Sequence, residues 1–177
     1  MLRYLAIKNQ SMGFSLVELV VVLLLVGLLS NTAVAYWRDI SEQQQADLIA
    51  EKVRSALNRA RLYGLNFQQP VIACGVNIQI NNDCLEQNFS GIVIFIDRDQ
   101  DNAFSADDTL LERVILLPNS VGGSLSKNGG AILRYRPNGA LGEFGANSTV
   151  TYTSASNTQV RYITLNIAGR VYIEKGR

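Results

Sequence analysis

From Leu16 to Ala35 the chain reads LVELVVVLLLVGLLSNTAVA, an apolar stretch broken only by Glu18, Ser30, Asn31 and Thr32. A run of about 20 apolar residues is the length at which a helix crosses a bilayer, so this stretch limits the possible folds more than any other. It predicts a membrane-spanning helix with a carboxylate near its start. An ionised side chain deep in a bilayer costs on the order of 3 kcal/mol, so Glu18 needs a partner or a role.

Ahead of this stretch stands MLRYLAIKNQSMG, which carries Arg3 and Lys8 and no acidic residue. The positive-inside rule keeps that piece cytoplasmic and sends the rest of the chain outward. A secretory signal places its small-residue cleavage site after the apolar core. Here the small residue, Gly13, stands before the core, and a cut at that point leaves the hydrophobic helix on the mature protein.

The order Gly13, Phe14 and then Glu18 as the fifth residue after the Gly resembles the prepilin signature. The resemblance implies cleavage after Gly13 by a prepilin peptidase, N-methylation of Phe14, and a role for Glu18 in subunit assembly. Cleavage would free an α-amino group with a pKa of about 7.7–8.0. A buried carboxylate is best tolerated beside such a cation. Glu18, four residues beyond Phe14, reaches either its own terminus or that of a neighbouring subunit in a filament. The resemblance favours the neighbour.

The helical pattern continues past the apolar stretch. Ala46, Ile49, Ala50, Val53, Leu57 and Ala60 recur at three- and four-residue steps, while Asp47, Glu51, Arg54, Asn58 and Arg61 take the other face. No proline occurs before Pro70, and Gly64 is the expected C-terminal stop. After it come seven runs rich in β-branched and aromatic residues: PVIACGVNIQI, GIVIFID, LLERVILLP, AILRYRP, STVTYT, QVRYITLNI and RVYIEK. Gly- and Asn-rich segments separate them, with NSVGGSLSKNGG read as a flexible loop and AGR as a tight hairpin.

A helix followed by antiparallel strands and a closing Gly-Arg hairpin is similar to the GspH/FimT branch of the pilin superfamily. ARLYG, FIDRDQDNAFSADDTLL, LRYRPNGAL and ITLNIAGRVYIEKGR carry the resemblance. The implied fold is α+β: a long N-terminal helical spine, transmembrane in its first half, packed on an antiparallel β-sheet domain. The expected organisation is a leader over 1–13, a transmembrane and filament-core helix over 14–35, its amphipathic second half over 36–64, and a periplasmic β-rich domain over 65–177.

Composition narrows the chemistry. The chain has 16 basic and 15 acidic residues, a net charge of +1 and no histidine. The usual general base, metal ligand and triad partner is therefore missing, and no Gly-rich phosphate loop follows a strand. A non-enzyme without a cofactor is expected. The two cysteines, Cys74 and Cys84, do not fit a C-x-x-C motif. In an oxidising compartment they would close a short disulfide loop, and in a reducing one they would be free thiols.

Two further segments carry residues that could hold a ligand. Asp97, Asp99, Asp101 and Asp108 stand at positions 1, 3, 5 and 12 of a calcium-loop pattern, but Asn102 replaces its turn glycine and a strand, not a helix, precedes it. An acidic turn capped by its own side chains is the preferred reading. Some members of the branch bind DNA through a Gly-Arg-x-Arg hairpin. Here Tyr172 stands at the second Arg, which leaves Arg170, Lys175 and Arg177 as candidate contacts, with Arg134, Arg136 and Arg161 nearby.

The resemblance thus implies a minor type IV pilin in the bacterial inner membrane. Its partners would be the peptidase, other pilins and an assembly platform, and it would help prime a pilus used in twitching, adhesion or DNA uptake. The alternatives are a minor pseudopilin of a type II secretion system and a DNA receptor of a transformation pilus.

Overall fold

Ser15 and Gln68 bracket a single helix, α1, that runs Leu16–Phe67 over 52 residues. At its start the Ser15 hydroxyl accepts a hydrogen bond from the Glu18 backbone N–H at 3.2 Å, which satisfies one of the free donors of a helix N-terminus. At its end Gln68 adopts a left-handed φ of 54° and its side chain donates to the Leu65 carbonyl at 2.6 Å. Pro70 then prevents continuation. The expected stop at Gly64 is thus three residues early. Gly64 lies within the helix, where an added Cβ would stand 3.2 Å from the Arg136 carbonyl, so the glycine serves close packing.

The computed structural model describes residues 14–78, 83–118, 121–142 and 147–176, save for the side chains of residues 29–35. The described residues fall into two units that divide between Ile40 and Ser41. In the first unit every described side chain from Phe14 to Leu28 is exposed. Among the described residues no helix is long and apolar enough to cross a membrane. The span expected from Leu16 to Ala35 passes through residues 29–35, whose side chains lie outside the described set.

In the second unit α1 presents Ala46, Ile49, Ala50, Val53, Ala56, Leu57 and Ala60 to the core, each at most 2% exposed. This is the face expected from the sequence with Ala56 added. Eight strands follow: β1 Val71–Val76, β2 Gly91–Ile96, β3 Thr109–Ile115, β4 Ser124–Lys127, β5 Ile132–Tyr135, β6 Thr149–Thr153, β7 Val160–Leu165 and β8 Val171–Lys175. They form two antiparallel sheets of four, β3-β2-β1-β5 and β4-β6-β7-β8. The second half of α1 and inward residues of both sheets share one core.

Strand β4 falls in the segment read as a flexible loop. Its residues Ser124-Leu125-Ser126-Lys127 carry little β signal, yet Leu125 and Lys127 alternate inward. Burial pushes the Lys127 ammonium down to about 8. Its head donates to the carbonyls of Asn128 and Gly130.

Strands β1 and β2 are buried on both faces, as their continuous apolar runs require. Their outer face carries a second cluster of Ile72, Cys74, Val76, Val93, Phe95 and Ile132. The β2–β3 loop folds back over it, with the Phe104 ring 5.2 Å from that of Phe95.

Cys74 and Cys84 form a disulfide with Cα atoms 5.4 Å apart. The bond holds the segment that links the sheets. The Leu85 N–H donates to the Gly75 carbonyl at 2.7 Å, and the Lys127 N–H of β4 donates to the Glu86 carbonyl at 2.7 Å. Residues 85–87 thus bridge β1 to β4.

Candidate functional site

The first candidate is the start of α1. Phe14 is 79% and Leu16 80% exposed, and the apolar side chains through Leu28 remain uncovered. Glu18 is the acidic residue of the first helical turn. Its place three residues after Ser15 is the S-x-x-E spacing of a capping box, a signal the sequence reading passed over. A carboxylate there also faces the positive end of the helix dipole. Among the described residues no hydrogen bond or ion pair engages the Glu18 carboxylate. Gly13, the expected cleavage residue, lies outside the described residues.

Within the second unit, polar clamps tie α1 to strands and turns, those at Asp47, Arg59 and Arg61 among them. Asp47 accepts from the Arg161 Nε of β7 at 2.6 Å and from the Lys175 Nζ of β8 at 3.3 Å. The Arg161 hydrogen bond holds the Asp47 carboxyl below the usual carboxylate range against an opposing effect of burial, with Lys175 adding to the lowering. Arg59 grips Glu112 of β3 through Nε at 2.9 Å and Nη2 at 2.8 Å, and the Tyr63 hydroxyl donates to the same carboxylate at 3.2 Å. Arg61 donates to the Gly139 carbonyl at 3.0 Å.

The Arg61 clamp sits beneath the β7–β8 hairpin. Gly169 has φ 73°, the left-handed position of a three-residue hairpin loop, and donates to the Asn166 carbonyl at 2.9 Å. A Cβ on Gly169 would stand 2.3 Å from the Gly139 carbonyl. The Leu141 N–H donates to the Ile167 carbonyl at 3.0 Å. The hairpin tip is therefore docked on the Arg136–Leu141 turn.

This packing redistributes the basic residues considered for DNA. Arg161 is 1% exposed, Lys175 shares Asp47 with it, and Arg134 pairs with Asp97 at 2.8 Å. Arg136 and Arg170 are exposed, and Arg177 lies outside the described residues. The inward turn of Arg161 was readable: in VRYITL it shares parity with the buried Ile163 and Leu165.

The acidic β2–β3 loop is laced by its own side chains. Asp108 accepts from the N–H groups of Arg98 at 3.0 Å and Ser105 at 2.8 Å. Asp99 accepts from Asp101 at 3.3 Å and Asp101 from Ala103 at 2.7 Å. Asp97 accepts from the Asn102 N–H at 3.3 Å. Of the four candidate ligands, the fold brings one carboxylate oxygen each from Asp97, Asp99 and Asp108 within 4.8 Å of the others and leaves Asp101 out of that group.

The model of the family described as "Type II transport protein GspH" matches residues 50–169. Among solved structures, the chain is similar to the type IV minor pilin FimU of Pseudomonas aeruginosa strain PAO1 in two crystal forms. One gives a TM-score of 0.56 at 14% identity and covers 76% of this chain and 92% of FimU. The other gives 0.52 at 15% identity, covering 72% and 91%. At such identity the likeness is one of fold. No curated protein matches the sequence. With residues 50–169 of its 177 matched to the family model, the chain belongs to the GspH family of pilin-like proteins.

Proposed function

We propose that this protein is a minor pilin-like subunit of a filament assembled from the bacterial inner membrane. Residues 14–35 anchor it as a single-pass helix with the β-rich domain on the periplasmic side. A prepilin peptidase cuts after Gly13, and Phe14 becomes the methylated first residue. The helix then passes from the membrane into a filament of other pilins or pseudopilins, drawn by an inner-membrane assembly platform. In this reading the work is structural: priming and occupying the filament rather than catalysing a reaction.

The observation that carries the reading is the start of α1. A surface of exposed apolar side chains from Phe14 to Leu28, with one carboxylate at Glu18, stands on a chain of the GspH family. Such a surface needs lipid or neighbouring helices to cover it, since exposed apolar area is unfavourable in water. In this reading the amino group freed on Phe14 of an adjacent subunit is the cation that pairs with Glu18.

A type IV pilus is supported by the fold shared with the minor pilin FimU. A type II secretion pseudopilus is the second reading, supported by the description of the matching family. The Glu18→Ala protein is expected to be cleaved and membrane-inserted like the parent but missing from sheared filaments. Its normal incorporation would overturn the assembly role of Glu18. A gene deletion scored for twitching and for exoprotein secretion separates the two readings.

A further inference from the structure

We propose that the β2–β3 loop binds a calcium ion through Asp97, Asp99 and Asp108. The geometry of the three carboxylates is one ground. Oxygens bound to a common Ca2+ at about 2.4 Å stand at most about 4.8 Å apart, and one oxygen from each of these residues lies within 4.8 Å of the other two.

Asp97 supplies the second ground. Its side chain is 2% exposed, yet only one of its oxygens is satisfied. Oδ2 pairs with Arg134 at 2.8 Å and accepts from the Asn102 N–H at 3.3 Å. Among the described residues no donor reaches the Asp97 Oδ1, which is buried. A buried carboxylate oxygen left bare is costly, and the loop's own lacing, which caps Asp99, Asp101 and Asp108, does not reach it.

The charges also fit. Of the three carboxylates only Asp97 is paired with a guanidinium, that of Arg134, so the group has negative charge for a divalent cation to offset. Asp108 and Asp99 keep unused lone pairs after accepting their backbone N–H groups. Backbone carbonyls and water complete the shell of six to eight oxygens that calcium takes at flexible geometry. Magnesium demands a tighter octahedron and gives up its water reluctantly, so calcium is the favoured ion. The ion joins Asp97, where the chain leaves β2, to Asp108, where it enters β3, and so closes the loop over Phe95.

The test uses the full-length protein in detergent micelles, stripped with EDTA and titrated with Ca2+ or Mg2+ alone. Millimolar Ca2+ is expected to raise the unfolding temperature by a few degrees and to give a saturable one-ion binding isotherm, with Mg2+ far less effective. Asp99 is exposed and accepts only a local N–H bond, so Asp99→Asn should melt like the parent in EDTA while losing roughly tenfold or more in Ca2+ affinity. Absence of any Ca2+-dependent shift, equal shifts with Mg2+, or undiminished binding by Asp99→Asn would each overturn the proposal.

Discussion

At Asp47 a carboxylate 43% exposed on its side chain holds a guanidinium that is almost wholly buried. The Arg161 Nη1 donates to the Val160 carbonyl at 2.9 Å, but its buried Nη2 has no partner among the described residues. The Asp47 charge is thus the main compensation for a buried cation, whereas Lys175 is a solvent-screened addition on the same carboxylate. Removing one partner of a buried pair costs far more than removing an exposed one. Asp47→Ala should destabilise the protein by roughly 2 kcal/mol, while Lys175→Ala should cost at most about 0.5 kcal/mol. Urea unfolding of the two variants checks this, and equal losses would contradict it. Because the folded Asp47 pKa lies below its unfolded value, its contribution is fully present above about pH 4 and fades as pH falls through the lower folded value. Asp47→Ala should therefore narrow its gap to the parent only in acid. Sequence periodicity put Asp47 on the polar face of the helix, and only the parity of Arg161 along β7 hinted at their meeting.

The second half of α1 lies against strands supplied from two sheets, and the devices that join those sheets are elements with weak sequence signals. Apolar runs as strong as VIACGV and GIVIFI declare buried strands from composition alone. Strand β4 does not, because two serines and a lysine disguise its alternation, and its partner segment 85–87 is too short for any periodicity. The cysteine pair marks that segment better than its pattern does. Fixing Cys84 to Cys74 places Leu85 beside Gly75 and Glu86 beside Lys127, so the disulfide sets the seam between the sheets. Replacing Cys84 by Ser should lower stability by about 3 kcal/mol through the loop closed over ten residues. A reductant titration of the parent should approach the same unfolding midpoint. A change within about 0.5 kcal/mol would show that the backbone bridges hold the seam unaided. The β7–β8 hairpin follows the same logic: AGR announced a tight turn, but its docking on Gly139 and Arg61 depends on contacts distant in sequence.

On the scale of the whole molecule, the family, the helix and the β-rich domain were all legible before any coordinates. Their signals are long and repeated: an apolar run, a helical stripe and seven strand-like segments. The division of those strands into two sheets was not legible, since inter-sheet order depends on pairings such as β1 with β5 across some sixty residues of chain. The site proposed at the start of α1 rests on residue identity and spacing in the sequence, and the structure adds the Ser15 cap and the uncovered apolar surface. The central claim is that this surface passes from membrane to filament after a cut beside Phe14. Mass spectrometry of the protein recovered from sheared filaments tests that claim most directly. The account predicts a mature chain that begins at N-methylated Phe14. Recovery of an uncut chain beginning at Met1, or absence of the protein from filaments in which its neighbours are found, would contradict it.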